Sequence, residues 1–337
     1  MTLRAMRILP ALKTLFLPIK QNQIEISSKQ EVLFLNAQFH PALQNLNADL
    51  YQPFKPFSET INASQTIPDR ENAYDVALIL GTKNQIETEY FIASALRALK
   101  PHGILIIAAD NKSGGTRLIK TLKKFDLENI QSESKHKARV CWTTKGNIDE
   151  KAIKAALEKG QIQIQNNFQT QPGIYGWNKT DKGSELLTAH LPENLSGNGA
   201  DFGCGYGYLA LHAIETCPKI KSLTCIDADA RALECAKLNL KDFTSTSYLW
   251  EDLTRPLPTL KNLDFVLMNP PFHEGKKTDI SIGQSFIQNA HKSLRPGSTL
   301  YMVANAHLPY EETLNTLFSD IKKPTEKAGF KIFIATK

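Results

Sequence analysis

Four groups of residues in this 337-residue chain have types and spacings that could do chemistry. The sharpest is Leu267-Met268-Asn269-Pro270-Pro271-Phe272-His273, which closes an apolar run, Leu263 to Met268, of the kind that forms a buried strand. Two prolines fix φ and remove two donors, so the Asn269 side-chain oxygen and the Pro270 carbonyl stand as acceptors in a stiff turn beside the flat face of Phe272. Such a turn can accept both N–H bonds of a planar exocyclic amine while the ring stacks on the attached base. An isolated Asn-Pro-Pro-Phe is as readily a strand stopped by proline, so the reading depends on what else the chain carries.

Upstream, Asp201-Phe-Gly203-Cys-Gly205-Tyr-Gly207 follows a short apolar lead-in and precedes a helical pattern, Tyr208 to Thr216. The spacing is acidic-x-Gly-x-Gly-x-Gly; in the dinucleotide fingerprint a glycine would stand at Tyr208. Glycines at a strand-to-helix turn let backbone approach a ligand closely. The next apolar run, Leu223 to Ile226, ends on Asp227, the usual place for a carboxylate that accepts two ribose hydroxyls. A third run, Ser247 to Trp250, ends on Glu251-Asp252, suited to an adenine amino group. The glycine loop, three acidic strand ends and Asn269 at a fourth describe an S-adenosylmethionine site. Each feature alone has a plain structural reading; the set in this order does not.

On these residues the chain resembles the class I methyltransferases that modify the exocyclic N2 of guanine in 16S ribosomal RNA, the small-subunit methyltransferase C family. The resemblance rests on Asp201–Gly207, Asp227, Asn269–His273, Pro172-Gly173-Ile174-Tyr175 with Gly183-Ser184, and Ala304-Asn305-Ala306-His307-Leu308-Pro309-Tyr310. It is close over residues 172–337 and loose before them. It implies an α/β protein of two tandem Rossmann-like class I methyltransferase domains, the N-terminal one degenerate and assisting RNA binding or folding. It implies S-adenosylmethionine held by Asp201, Gly203, Gly205, Gly207, Asp227, Asp252 and Asn269, with Asn269, Pro270 and Phe272 catalytic. Pro271, His273 and Tyr175 would face the substrate, 16S ribosomal RNA or the small ribosomal subunit. His273 could touch substrate or phosphate, or only close the turn.

Composition agrees. The length suffices for two cores, and no apolar stretch reaches the ~20 residues of a membrane span. Five cysteines without a Cys-x-x-Cys pair read as thiols in a reducing, cytoplasmic compartment, and no metal-ligand cluster stands out. A net charge of +6 fits nucleic acid without requiring it. The basic, proline-broken start to Lys20 lacks the form of a targeting peptide; residues 10–20 begin the folded domain. A monomer is the expected state.

The first half also reads as α/β, with strands over 32–35, 74–80 and 104–108 and helices over 87–99 and 118–125. Asp75-Val-Ala-Leu-Ile-Leu-Gly, a helix, then Leu-Lys-Pro-His-Gly and a strand is matched by Asp264-Phe-Val-Leu-Met-Asn-Pro, a helix, then Leu-Arg-Pro-Gly and a strand. Both halves close on similar strands, 139–145 and 331–337. This reads as one internal duplication. Gly81-Thr82-Lys83-Asn84 stands where Asn269 to Phe272 would be, and no triple-glycine loop occurs before residue 150. Residues 112–145 hold nine Lys/Arg against three acids, a solvated face or a phosphate-tracking patch. The domains are expected at 1–150 and 172–337, with a linker over 151–171 that has a helix and then one alternating edge strand, 161–169.

Three readings follow. The first is guanine-N2 methylation of 16S ribosomal RNA, with a 23S guanine as a close variant. The second is methylation of protein glutamine or adenine N6, which use similar turns; a glutamine methylase would carry a helical N-terminal domain. The third is a non-catalytic RNA-binding relic, against which the intact loop, Asp227 and Asn269 argue.

Overall fold

The computed structural model describes residues 9–271 and 280–337 and, between them, the backbone of residues 273, 274, 277 and 278. The chain divides into two units, Met1–Gln161 and Ile162–Lys337.

The first unit is a six-stranded sheet: β1 (Glu31–Leu35), β2 (Asn47–Tyr51), β3 (Tyr74–Leu80), β4 (Leu99–Asp110), β5 (Gln131–Lys135) and β6 (Ala138–Thr144), ordered β2-β1-β3-β4-β6-β5. The first four are parallel; β6 runs antiparallel to β4, and β5 antiparallel to β6. Its helices are α1 (Pro10–Leu15), α2 (Leu17–Lys20), α3 (Lys55–Ile61), α4 (Gln85–Ala98), α5 (Leu118–Lys123) and α6 (Glu150–Gly160). Alternate residues of β1 and β3 feed two cores. Leu33, Leu35, Ala77 and Ile79 pack under Phe91 and Leu96 of α4, and Val32, Phe34, Val76 and Leu78 pack under Leu12 and Leu15 of α1. This explains why β3 reads as a nearly unbroken apolar run.

The second unit adds β7 (Gln163–Gln165), β8 (Phe168–Thr170), β9 (Ser196–Phe202), β10 (Lys219–Asp227), β11 (Thr246–Trp250), β12 (Leu263–Met268), β13 (His273–Glu274), β14 (Lys277–Thr278), β15 (Leu294–Asn305), β16 (Asp320–Lys322), β17 (Glu326–Lys327) and β18 (Phe330–Thr336). Its main sheet is ordered β11-β10-β9-β12-β15-β18-β16, with β17 on β18. The helices are α7 (Lys182–Thr188), α8 (Tyr208–Thr216), α9 (Ala230–Asn239), α10 (Ile280–Ser293) and α11 (Glu311–Leu317).

The stretch expected as a linker is divided between the units. Helix α6 packs on α4 so closely that a Cβ at Gly160 would lie 2.3 Å from the Tyr90 side chain. The expected single edge strand over 161–169 is instead the β7–β8 hairpin. Asn166 and Asn167 both take positive φ, the requirement of a tight two-residue turn, and Asn239 of α9 ties β8 to the second unit at 2.7 and 2.9 Å.

The two sheets share one plan, β2-β1-β3-β4-β6-β5 against β10-β9-β12-β15-β18-β16, and the duplication extends to individual bonds. Asp75 accepts from the Glu31 N–H (2.9 Å) and Lys100 (2.8 Å), as Asp264 does from the Asn198 N–H (2.6 Å) and Arg295 (2.6 Å). Lys145 and Lys337 each donate at 2.6 Å to the carbonyl that opens the fourth parallel strand, Leu99 or Leu294. Lys145 is therefore buried structure and leaves the basic run; Lys124 leaves it too, paired with Glu89.

Register also shows why the first copy is degenerate. Leu35 pairs with Ile79 and Tyr51 as Phe202 pairs with Met268 and Ile226, so Asn36 stands for Gly203, Gln52 for Asp227 and Leu80, rather than Gly81, for Asn269. Gln52, 1% exposed, donates to the Asn36 side chain (3.1 Å) and the Ala37 carbonyl (2.8 Å), and accepts from the Phe54 N–H (3.0 Å). Asn36 donates to the Leu80 carbonyl at 3.0 Å. The strand ends that would open onto a ligand are laced to one another.

Candidate active site

In the second unit the same strand ends open. Gly203, Gly205 and Gly207 all have positive φ (74°, 55° and 88°), which a chain of other L-residues would resist. The Gly203 and Cys204 N–H groups donate to the Ile226 carbonyl at 2.8 and 3.0 Å, and the Gly205 N–H donates to Asp227 Oδ2 at 2.8 Å, so the loop is pinned to the end of β10. The glycines differ in what they face. A Cβ at Gly203 would meet Phe286 at 3.2 Å and one at Gly207 would meet Ala236 at 3.3 Å, but a Cβ at Gly205 meets nothing within 4 Å. Gly203 and Gly207 face packed side chains, and Gly205 faces open space.

Asp201 lies beneath this loop, fully buried. Its Oδ2 accepts from the Ala210 N–H of α8 at 3.2 Å, and Oδ1 has no partner among the described residues. Burial, with Asp227 nearby, pushes the carboxyl up to about 8, so near neutrality it holds a proton it could donate. Asp227 lies at the loop's edge, Oδ2 accepting the Gly205 N–H and Oδ1 the Asp229 N–H (both 2.8 Å), with the Ala228 N–H also directed at the carboxylate. The acceptor capacity left over suits a ribose hydroxyl.

Burial lifts Asp227 to about 6. Hydroxyls that donate to it favour the ionised form, so its pKa falls when a ribose binds. Through this group, cofactor affinity is therefore expected to level off near pH 7 and to weaken by up to about tenfold per unit below about pH 6. Asp227→Asn should abolish that slope and cost about 1–3 kcal/mol at neutrality. Calorimetric titration of wild type and variant across this range checks both; an unchanged slope in the variant would assign it elsewhere.

Asp252 is tied into the turn after β11, its Oδ1 accepting from the Thr254 N–H (2.9 Å) and hydroxyl (2.6 Å) while Arg255 sits 3.4 Å from Oδ2. The Glu251 N–H donates to the Asp227 carbonyl at 3.1 Å, which holds the end of β11 beside the end of β10.

Asn269 ends β12, half-buried, with Pro270 buried and Pro271 exposed after it. Its Nδ2 donates to Asp181 Oδ1 at 2.8 Å and to Ser184 Oγ at 2.9 Å. Asp181 caps α7 by accepting from the Ser184 N–H at 2.9 Å, and its Oδ2 accepts from the Tyr175 hydroxyl at 2.7 Å. Tyr175 is otherwise exposed and reaches Asn269 only through Asp181. Neither Asp181 nor Ser184 shows a role by residue type; the one signal in the chain is Asp-Lys-Gly-Ser, a helix cap one turn ahead of an apolar pattern. Phe272 and the His273 side chain lie outside the described residues, and β13 supplies only the His273 backbone. The segment from Ala304 to Tyr310 is divided: Ala304, Leu308 and Tyr310 are buried, Tyr310 so tightly that a Cβ at Gly283 would be 2.1 Å from its hydroxyl, while His307 and Pro309 are exposed. Among the described residues no His/Cys/Asp/Glu group could hold a metal.

The observed features fit S-adenosylmethionine: an open cradle at Gly205, a diol acceptor at Asp227 and an acceptor-bearing turn one strand across. Residues 165–334 match the family described as the methyltransferase small domain, and residues 4–160 match the methyltransferase small domain N-terminal family. The ribosomal RNA small subunit methyltransferase C of Shewanella sediminis is 27% identical over 321 residues, covering 91% of this chain and 88% of its own. That of Shewanella sp. strain MR-7 is 32% identical over 276 residues, covering 78% and 77%. A solved structure of the T. thermophilus 16S rRNA N2 G1207 methyltransferase, in complex with AdoMet and guanosine, is 20% identical and covers 99% of this chain and 93% of its own, with a TM-score of 0.78, which establishes a common fold.

Proposed function

This chain belongs to the ribosomal RNA small subunit methyltransferase C family, built on the methyltransferase small domain, and from that premise we propose that it methylates the exocyclic N2 of a guanine in 16S ribosomal RNA. The guanine named for the T. thermophilus protein, G1207, is the proposed target. The observation that carries the reading is the pairing of two strand ends: the open glycine cradle after β9 and the Asn269–Pro270 acceptors after its neighbour β12.

S-adenosylmethionine, when bound, supplies an electrophilic methyl. Gly205 and Asp227 would hold it, and Asp252 lies on the adenine side. The chain's own task is then positional. A guanine N2 lone pair is spread into the ring and is a poor nucleophile in that plane. Asn269 Oδ1 and the Pro270 carbonyl accept its two N–H bonds, favour a pyramidal nitrogen and aim its lone pair out of the plane. Phe272 is proposed as the stacking face, worth ~1–3 kcal/mol, with Pro271 and His273 beside it. No base is needed before attack, because the methylated nitrogen is cationic and releases its proton to water or to an acceptor beside it. The target must leave its helix stack to reach a strand-end turn, which favours a loop or an open helix edge.

The catalytic machinery is proposed to lie wholly in the second unit, with the first supporting RNA binding or folding. A six-stranded first unit argues against a glutamine methylase. No helix among the described residues is long and apolar enough to cross a membrane; a monomer in the cytoplasm is proposed. Incubating small subunits, large subunits and free 16S RNA separately with labelled cofactor, then mapping the modified base, is expected to give one N2-methylguanine, in 16S RNA. Label on 23S RNA, on protein, or on adenine would refute the assignment.

A further inference from the structure

We propose that Asp181 is a positioning residue that decides which end of the Asn269 carboxamide meets the substrate amine. The proposal rests on Asn269 accepting that amine. The two prolines after β12 fix the backbone at Asn269, but an asparagine χ2 is broad and nearly two-fold, so backbone alone does not choose between Oδ1 and Nδ2. A flipped amide would set NH2 against NH2. Asp181 makes the choice because an ionised carboxylate only accepts: the Asn269 atom 2.8 Å from Asp181 Oδ1 has to be the nitrogen.

The second Asn269 N–H goes to Ser184 Oγ at 2.9 Å. A hydroxyl can donate as well as accept, so Ser184 alone would tolerate either flip. With both N–H groups taken on this side, Oδ1 faces away from α7. Asp181 is itself held at both oxygens, by the Ser184 N–H on Oδ1 (2.9 Å) and the Tyr175 hydroxyl on Oδ2 (2.7 Å). Tyr175 thus acts one step further back, as a brace on the carboxylate. The alternative role for Asp181, capping α7 and nothing more, predicts a different set of variants.

Asp181→Ser keeps a side-chain oxygen for the cap but is too short to reach Asn269. Asp181→Asn keeps an oxygen toward both the Ser184 N–H and Asn269 Nδ2, turning its own NH2 to the Tyr175 oxygen. In the full chain, with small ribosomal subunits and labelled cofactor, single-turnover transfer is expected to fall about 30-fold in Asp181→Ser and less than about threefold in Asp181→Asn, with cofactor affinity unchanged in both. In an Asn269→Ala background the two variants should be equal, because no amide is left to orient. Equal rates in the Asn269 protein, or the same serine-to-asparagine gap in the Asn269→Ala background, would overturn the proposal and leave Asp181 a cap. A wild-type rate in Asn269→Ala alone would overturn the reading of Asn269 itself, a separate and distinguishable failure.

Discussion

Asn269→Ala is expected to lower single-turnover methyl transfer at least about 100-fold while leaving cofactor affinity within about twofold. The split follows from which strand carries which task. Gly205 follows β9 and Asp227 ends β10, whereas Asn269 ends β12 on the other side of β9. Removing its oxygen takes one of two acceptors from the amine and leaves the cofactor contacts in place. The variant should fold: Asn269 is half-buried, and Asp181 Oδ1 keeps the Ser184 N–H that caps α7. Cofactor affinity by calorimetry and single-turnover transfer to small subunits are the two measurements. A wild-type rate would falsify the mechanism whatever the target base.

Gly205→Asn is expected to weaken cofactor binding by at least about 100-fold, or ~2.7 kcal/mol, with the melting temperature within a few degrees of wild type. Asparagine tolerates the left-handed conformation that φ 55° requires, at a cost of about 1 kcal/mol or less. A Cβ at this position meets no protein atom within 4 Å, so the added group is expected to take ligand space rather than disturb packing. The same substitution at Gly207 would press on Ala236 and Leu240 at 3.3 and 3.4 Å and confuse packing with binding. Titration of the full-length variant also tests the first unit. With Gln52 bonded across the corresponding strand ends, no second site should emerge when the first is blocked, and residual stoichiometric binding would show that the closed copy opens.

Much of this protein was legible in one dimension. β3 and β12 announced themselves as apolar runs because parallel strands covered on both faces cannot alternate. The glycine loop, Asp227 and the Asn-Pro-Pro turn are recognisable because a strand end, the turn after it and the ligand group it presents are contiguous in the chain. The duplication showed through as well, since both copies must place the same Asp, Pro and Lys at matching strand ends. Short or half-polar elements did not. β2, Asn-Ala-Asp-Leu-Tyr on an edge, has little apolar pattern, and two consecutive asparagines concealed a hairpin turn.

What only the tertiary structure decided were pairings between residues far apart in the chain. Asp181 and Asn269 stand 88 positions apart and meet because α7 packs on β15, the neighbour of β12, and neither residue type announces the other. Gln52 closes the first copy by bonding to Asn36 and Ala37, although glutamine at a strand end is unremarkable in sequence. Lys145 counted toward a basic patch until its ammonium was found on the Leu99 carbonyl. Residue type and spacing dictate what a side chain can do within its own strand and turn. Which donor meets which acceptor depends on strand order and helix packing, and here that choice separates an open site from a closed copy of it.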